Sequence, residues 1–318
     1  MCRLFYSILI LQAPILHILG CGSATPTPYR NPTAQVLQFE QFSVLIDCGE
    51  GTQMQLLKYK VKSSRIHSIF ISHLHGDHYL GLPGLISSMH LLGRKHALHL
   101  YAPEALFELL EMQFRMSETH LQFPLHMHAV DCNGKQKITE IDGFEVFTFP
   151  LKHGIPCYGY QFVQKPKNAN LNMEMVERYN IPVSAFKKIK SGGDYATPSG
   201  SVIPNSLLVK PNTTVLSYAY CSDTAPCESV IQAIGGSTWL YHEATFLHEL
   251  KQRAVETFHT TAFEAATVAK KAGVKNLIIG HFSSRYRETT LLEAEANAVF
   301  PQTIAALDGL QVTLLAAD

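Results

Sequence analysis

The chain has 318 residues, 46% of them hydrophobic, which allows one or two domains around a large core. Twenty-six Lys and Arg balance 26 Asp and Glu, so the formal net charge is +0 and no global field draws in nucleic acid; any RNA binding must use local patches. Seven scattered cysteines (Cys2, Cys21, Cys48, Cys132, Cys157, Cys221, Cys227), without a CxxC, argue for reduced thiols and a cytoplasmic setting rather than a disulfide framework.

From Leu4 to Leu11 the chain is nearly all apolar behind Arg3, and Ile18-Leu19-Gly20-Cys21 has the form of a lipoprotein processing site. No polar cleavage region separates that run from the fold, so the reading is a cytoplasmic protein whose residues before about Pro14 are an extension or a misplaced start. No apolar stretch reaches the roughly 20 residues of a membrane span. Ile15–Gly20 reads as a first core strand, and 35–47 as two short strands around Glu40-Gln41-Phe42. Residues 51–60 read as a helix, and Ile66–Ile71 as a buried strand that delivers Ser72-His73-Leu74-His75-Gly76-Asp77-His78. Helix 81–92, strand 96–101 and helix 103–116 come next, and Phe144–Phe149 alternates like a strand leading to His153. Between Gln164 and Lys210 the chain is rich in Lys, Asn, Gly, Pro and Ser and core periodicity fades, which predicts an inserted arm. Strand 213–220 then leads to Asp223. Thr261-Ala262-Phe263-Glu264 is a capping-box pattern opening a helix that closes near Gly273, and strand 274–280 ends at His281. Strands alternating with helices predict a layered α/β protein.

His73 and His75 lie two apart, so on an extended segment both rings point the same way. Asp77 and His78 come after a glycine that lets the chain turn toward a second position. One loop can therefore feed two metal ions about 3.5–4 Å apart, an arrangement that activates water and clamps a phosphoryl group. A chance cluster is the poorer reading, because imidazole and carboxylate at this density suit zinc and are costly to bury unpaired. Taken alone, His153 and His281 are ordinary polar loop residues and Asp223 a turn residue. Asp47 is either a partner that orients a ligand imidazole or a turn residue before Gly49. His242-Glu243 is not a zincin helix, since Phe246 occupies the position of the second histidine. His126 and His128 form another HxH pair, but no Asp-His comes after it, and they read as surface or strand residues. Gly20-Cys21-Gly22 is too short for a dinucleotide fingerprint.

Several segments carry a family resemblance. They are 46–53 (IDCGEGTQ), 72–78 with Gly81-Leu82-Pro83-Gly84, Lys152-His153 with Gly159-Tyr160, Ser222-Asp223-Thr224, His242-Glu243-Ala244-Thr245, His259-Thr260-Thr261-Ala262 and 280–286 (GHFSSRY). The chain resembles the metallo-β-lactamase fold, and more closely the ribonuclease Z (tRNase Z) family of tRNA 3′-processing endonucleases, from about Ile15 over nearly its whole length. The metal loop is specific only to the fold; the segments at His242 and His259 together select the family. The resemblance implies a single α/β domain over 1–318, an αβ/βα four-layer sandwich with a flexible exosite arm at 164–210. It implies two zinc ions per subunit, with Mn2+ or Mg2+ as substitutes: His73, His75 and His153 on one, Asp77, His78 and His281 on the other, and Asp223 bridging. Asp77 would also help accept the water proton. His259, supported by Glu243, would protonate the leaving 3′ oxygen, a role that suits an imidazole beside a carboxylate. Without the family, the alternative for His259 is a helix-start residue near the capping box, the poorer reading because His is a weak cap. The substrate implied is precursor tRNA, and the assembly a homodimer in which one subunit's arm helps hold tRNA for the other's site. The loop 26–31 would hold the tRNA 3′ end through Arg30 and Asn31, with Pro28 where the family usually has Lys; Arg285 would hold phosphate. Lys187, Lys188 and Lys190, ahead of Gly192-Gly193, would grip the tRNA body, although Asn180–Ala185 lacks the expected Gly-Pro pair. The rival readings are a small-molecule phosphodiesterase of the same fold, which needs no arm, and a non-catalytic RNA-binding protein with a structural metal site.

Overall fold

A computed structural model describes residues 13–165, 170–210 and 215–316. The apolar run 4–11 and the start of the strand expected at 213–220 lie outside the described residues. Among the described residues no helix is long and apolar enough to cross a membrane.

The first half runs β1 (Ile15–Gly20), β2 (Ala34–Gln38), β3 (Ser43–Cys48), α1 (Thr52–Lys58), β4 (Ile66–Phe70), α2 (Gly76–Tyr79), α3 (Leu82–Leu91), β5 (Leu98–Ala102), α4 (Ala105–Met116) and β6 (Leu125–Ala129). Then come β7 (Gln136–Ile141), β8 (Phe144–Pro150) and β9 (Tyr158–Gln164), and the arm with β10 (Asn170–Leu171), α5 (Met173–Arg178), α6 (Phe186–Lys190), β11 (Tyr195–Ala196), β12 (Val202–Ile203), α7 (Asn205–Leu208) and β13 (Val209–Lys210). The rest is β14 (Ser217–Cys221), α8 (Glu228–Ile234), β15 (Trp239–Glu243), α9 (Lys251–Glu256), α10 (Ala262–Ala272), β16 (Asn276–Gly280), α11 (Thr290–Asn297), β17 (Thr303–Ala305) and β18 (Gln311–Thr313).

Two seven-stranded mixed sheets result, ordered β18-β1-β2-β3-β4-β5-β6 and β17-β16-β15-β14-β9-β8-β7. Each opens with an antiparallel meander and continues as parallel strands, β3 to β6 in one and β14 to β17 in the other. That repeated plan is the four-layer αβ/βα sandwich. Central strands read as unbroken apolar runs because both faces are buried: Ile69 and Ile71 pack under the helices of the first half, while Phe70 meets Tyr160 and Phe162 of the opposite sheet. The capping box forms at Thr261–Glu264, and Gly273 ends α10 in the left-handed conformation at φ 65°. Losing such a cap typically costs about 0.5–2 kcal/mol.

The strands that the sequence does not announce include all four sheet edges, β6, β7, β17 and β18, where one side is open to water and apolar runs are not required. Two central strands, β9 and β15, are also unannounced. They carry Gln161, His242 and Glu243, buried polar residues that mask the strand pattern. The arm departs from expectation as well. Val176, Ile181, Ile189, Ile203 and Leu208 form a buried cluster of their own once β10 pairs with β13. These residues are too far apart in sequence to show a periodicity. The arm leaves β9 and returns to its antiparallel neighbour β14, with Gln164 N donating to Leu216 O at 2.8 Å, so it enters and exits at one point.

Candidate metal centre

Strand β4 carries the chain to Ser72, and from His73 to His75 it stays extended. His73 Nε2 then lies 3.1 Å from His75 Nδ1, as the spacing of two predicts. The chain turns at Gly76 into the short helix α2, which buries His78 and brings up Asp77, so His78 stands on a helix rather than in a loop. The support beneath is the end of β3. Asp47, left-handed at φ 56°, accepts Ser72 N at 2.7 Å, Ser72 Oγ at 2.9 Å and Tyr220 Oη at 2.6 Å, and His78 Nδ1 donates to it at 2.8 Å. Of the two readings left open, these bonds favour Asp47 as the partner that orients the His78 imidazole. The loops approach too closely for side chains: a Cβ on Gly49 would lie 2.3 Å from Asp77 O, and one on Gly81 2.2 Å from Gly49 O.

Residues distant in sequence complete the cluster. His153, after β8, brings Nε2 to 3.1 Å from His75 Nδ1, while its Nδ1 donates to Phe258 O at 3.2 Å. His281, after β16, is left-handed at φ 59°; its Nε2 lies 3.3 Å from His78 Nε2, and its Nδ1 is 3.0 Å from Thr245 Oγ1. Asp223 sits between the two groups. Its Oδ1 is 3.3 Å from His78 Nε2 and 3.2 Å from His281 Nε2, and its Oδ2 is 3.6 Å from His73 Nε2 and 3.8 Å from His153 Nε2. Asp77 Oδ2 is 3.4 Å from both His78 Nε2 and His281 Nε2.

These residues fit a pair of cations. Nitrogens held about 2.0–2.1 Å from a tetrahedral zinc stand about 3.3 Å apart, close to the separations here. The donors gather into His73, His75, His153 and Asp223 on one side and Asp77, His78 and His281 on the other, each set within 4.8 Å. The outer nitrogens of His73, His78, His153 and His281 all face an oxygen, which leaves the inner lone pairs pointing at the centre. Without cations, burial opposes charge throughout, and neighbours decide. Asp223, Asp77 and Asp47 outweigh burial and lift His78 well above its ordinary value. Burial and the neighbouring His78 hold His73 well below its own. Burial would raise Asp223, but His281, His78 and His73 keep it well below the carboxylate range.

Beside the cluster stands a second device. Glu243, at the end of β15, is fully buried and saturated: Oε1 accepts His259 Nδ1 at 2.9 Å, Thr260 N at 3.0 Å and Thr224 N at 3.1 Å, and Oε2 accepts Thr245 N at 3.0 Å and Thr245 Oγ1 at 2.8 Å. Burial works against a protonated His259, yet the Glu243 carboxylate prevails and raises it to about 9. The His259 ring lies 5.4 Å from those of His153 and His281. Thr245 links this pair to the metal side through His281, a role the sequence hints at only by its place in the quoted segment 242–245. His75, Asp77, His153, Asp223, His259 and His281 all line one open cleft of about 510 Å³.

The expected RNA contacts divide. Arg30 is corrected by its burial: only 4% exposed, it donates from Nη2 to Tyr286 O at 3.1 Å and Arg287 O at 3.3 Å and lies over the Phe282 ring. It braces a loop and presents no charge to a phosphate. Asn31 is likewise turned inward, its N and Nδ2 both donating to Asp308 Oδ2. Exposed at this lip instead is Tyr29, whose Oη donates to Ser284 O; an aromatic in a Pro-rich loop is the signal that was available. Arg285 is exposed over the Phe246 ring, and Lys187, Lys188 and Lys190 are exposed on α6.

Removing Asp47 tests how far the second layer holds the first. Asp47→Ala is expected to weaken metal binding about 10–100-fold. Chelator competition checks it, and an unchanged affinity would leave Asp47 with a purely structural part.

A family model described as Anti-Pycsar protein Apyc1 matches residues 15–173, which stop short of Asp223, Glu243, His259 and His281. Ribonuclease Z of Bacteroides fragilis (strain YCH46) is 46% identical over 299 residues, 94% of this chain and 98% of that protein. Ribonuclease Z of Porphyromonas gingivalis (strain W83) is 44% identical over 299 residues, with the same coverage. The crystal structure of human tRNase Z, short form, superposes with a TM-score of 0.69 at 26% identity, covering 95% of this chain and 99% of that one. The metallo-β-lactamase fold protein YhfI from Bacillus subtilis superposes at 0.68 with 19% identity over 95% of this chain and 99% of that one, a likeness of fold alone.

Proposed function

This chain belongs to the ribonuclease Z family, its residues 15–173 falling also in the family described as Anti-Pycsar protein Apyc1, and from that premise we propose how its own residues perform the reaction. It is a metal-dependent endoribonuclease that removes the 3′ trailer from precursor tRNA, hydrolysing one phosphodiester and leaving a 3′ hydroxyl. His73, His75 and His153 would hold one zinc ion and Asp77, His78 and His281 a second in each subunit, with Asp223 serving both groups and Mn2+ or Mg2+ as substitutes. The observation that carries this reading is that the two carboxylate oxygens of Asp223 face opposite histidine groups. When bound there, the cations activate water and neutralise charge on the phosphoryl group.

The remaining steps belong to side chains. Asp77 borders the cleft and accepts the proton of the attacking water. His259 has its Nδ1 tied to Glu243, so its Nε2 is the atom left to protonate the departing 3′ oxygen. Glu243 accepts five hydrogen bonds, so it holds His259 protonated without taking the proton itself. Arg285 contacts phosphate at the lip. The inserted arm 164–210 carries the tRNA body on Lys187, Lys188 and Lys190. The triple change to Ala is expected to raise KM for precursor tRNA and lower the salt slope of binding by about 2–3, at about 0.7–0.9 per phosphate contact. Hydrolysis of a small phosphodiester should not move. Equal losses on both substrates would refute the arm's part.

Two further readings have support. A strip of exposed apolar side chains, Met54 and Leu57 on α1 with Leu91 and Leu92 at the end of α3, borders a groove of about 760 Å³ and fits a homodimer contact. Leu57→Glu with Leu91→Glu should yield a monomer in light scattering; an unchanged mass would move the interface elsewhere. Six described cysteines are free, consistent with a reducing cytoplasm.

The whole assignment is tested by mapping product ends on a precursor tRNA with a 3′ trailer, with added metal and a chelator control. One metal-dependent cut leaving a 3′ hydroxyl is expected. Hydrolysis of a simple phosphodiester with no tRNA cut would overturn it.

A further inference from the structure

Away from the cleft, four histidines stand on three neighbouring parallel strands of the first sheet: His67 on β4, His99 on β5, and His126 and His128 on β6. Register sets His99 opposite His126 and Tyr101 opposite His128. By strand alternation His99, His126 and His128 share the face of Tyr101, which elsewhere is covered by the second sheet, and a register shift between β3 and β4 at His67 lets its ring stack on His99 from the same side. At the edge strand β6 that face is open to solvent, as the exposure of His126 shows. His67 and His126 are exposed, and His99 and His128 half-buried.

His99 is the hub. Its ring centroid lies 5.0 Å from that of His67, 5.0 Å from that of His126 and 5.4 Å from that of His128. Its Nδ1 is 3.1 Å from His128 Nε2, the same separation as between the imidazoles at the cleft. Burial lowers His67, His99 and His128 below their ordinary values, with neighbouring imidazoles adding to it at His99 and His128, so at neutral pH their lone pairs stay available. Arg94, tied to the carbonyls of His96 and Ala97, contributes to that lowering at His67 and His99. Its charge opposes a cation as it opposes a proton. Any ion held here must be held by imidazole coordination rather than charge, which selects late first-row dications over Mg2+ or Ca2+.

We propose that His99 and His128, with His126 free to turn its ring in as a third donor, form a separate mononuclear site for Cu2+ or Zn2+. The test strips the full-length protein with a chelator, reloads it with Cu2+ or Zn2+ in separate runs, and counts bound metal after desalting. His99→Gln with His128→Gln should bind one equivalent fewer than the parent while cleaving precursor tRNA at the parent rate. Because the readout is a difference, it does not depend on how many ions the cleft holds. Equal stoichiometry in a folded variant would overturn the site. Should that variant fail to fold, Cu2+ added to the zinc-loaded parent supplies a second readout. Nitrogen superhyperfine splitting from at least two imidazoles, weakened in His126→Gln, is expected, and an oxygen-only spectrum would sink the proposal.

Discussion

His259→Ala is expected to lower kcat for precursor-tRNA cleavage by about 10²–10⁴-fold, the usual contribution of a positioned general acid, with KM nearly unchanged. The His259 side chain bonds Glu243 and its ring lines the cleft, packed against those of His153, Phe246 and His281. A substrate carrying sulfur in place of the bridging 3′ oxygen separates the proposed role from a structural one. A thiolate leaves without a proton, so that substrate should recover most of the lost rate in His259→Ala. If it does not, the imidazole is not the acid. The pH dependence comes from the same pair. With His259 raised to about 9, the stability contributed by its ion pair is fully present below the ordinary 6.5 and is lost as pH rises through 9. In Glu243→Gln the raising charge is gone while burial remains, so the His259 titration in the metal-free protein, followed by NMR, should fall to 6.5 or below.

The second large effect belongs to Asp223. Asp223→Ala should reduce bound metal from two ions to one or none and cut turnover by about 10³-fold or more. Charge stabilisation by such ions is worth several kcal/mol, and each 1.36 kcal/mol is tenfold in rate. The reason is geometric: one carboxylate faces both histidine groups, so its loss loosens both at once. Metal analysis beside single-turnover cleavage decides the matter. Two tightly held ions in the variant would mean that the two groups are independent. Removing the carboxylate leaves the buried imidazoles around it without their counter-charge, so circular dichroism must first show the variant folded.

Much of the site was legible because its first half is local. His73, His75, Asp77 and His78 fall within one loop and helix turn, and strand geometry alone makes the first two rings converge. The helix α10 was legible for the same reason, since cap and stop are read within single turns. His153, Asp223 and His281 were not legible as ligands from spacing, only from family resemblance. The packing of one sheet against the other brings the ends of β8, β14 and β16 to the end of β4. Arg30 shows the opposite failure: a cation in a loop near the cleft looks like a phosphate contact until its side chain is seen to be buried, with Nη2 bonded to the carbonyls of 286 and 287.

By itself the sequence determined the alternation of strands and helices, the ligand-rich loop and the family motifs, all of which depend on periodicities of two and 3.6 residues or on short fixed spacings. Only the tertiary structure decided which distant histidines face one another, which oxygen of Asp223 serves which group, that the arm closes on a core of its own, and that four histidines gather on an open sheet edge. Those are matters of strand order and register. Residues tens to hundreds of positions apart become neighbours only when the sheets are assembled, and no local spacing encodes that.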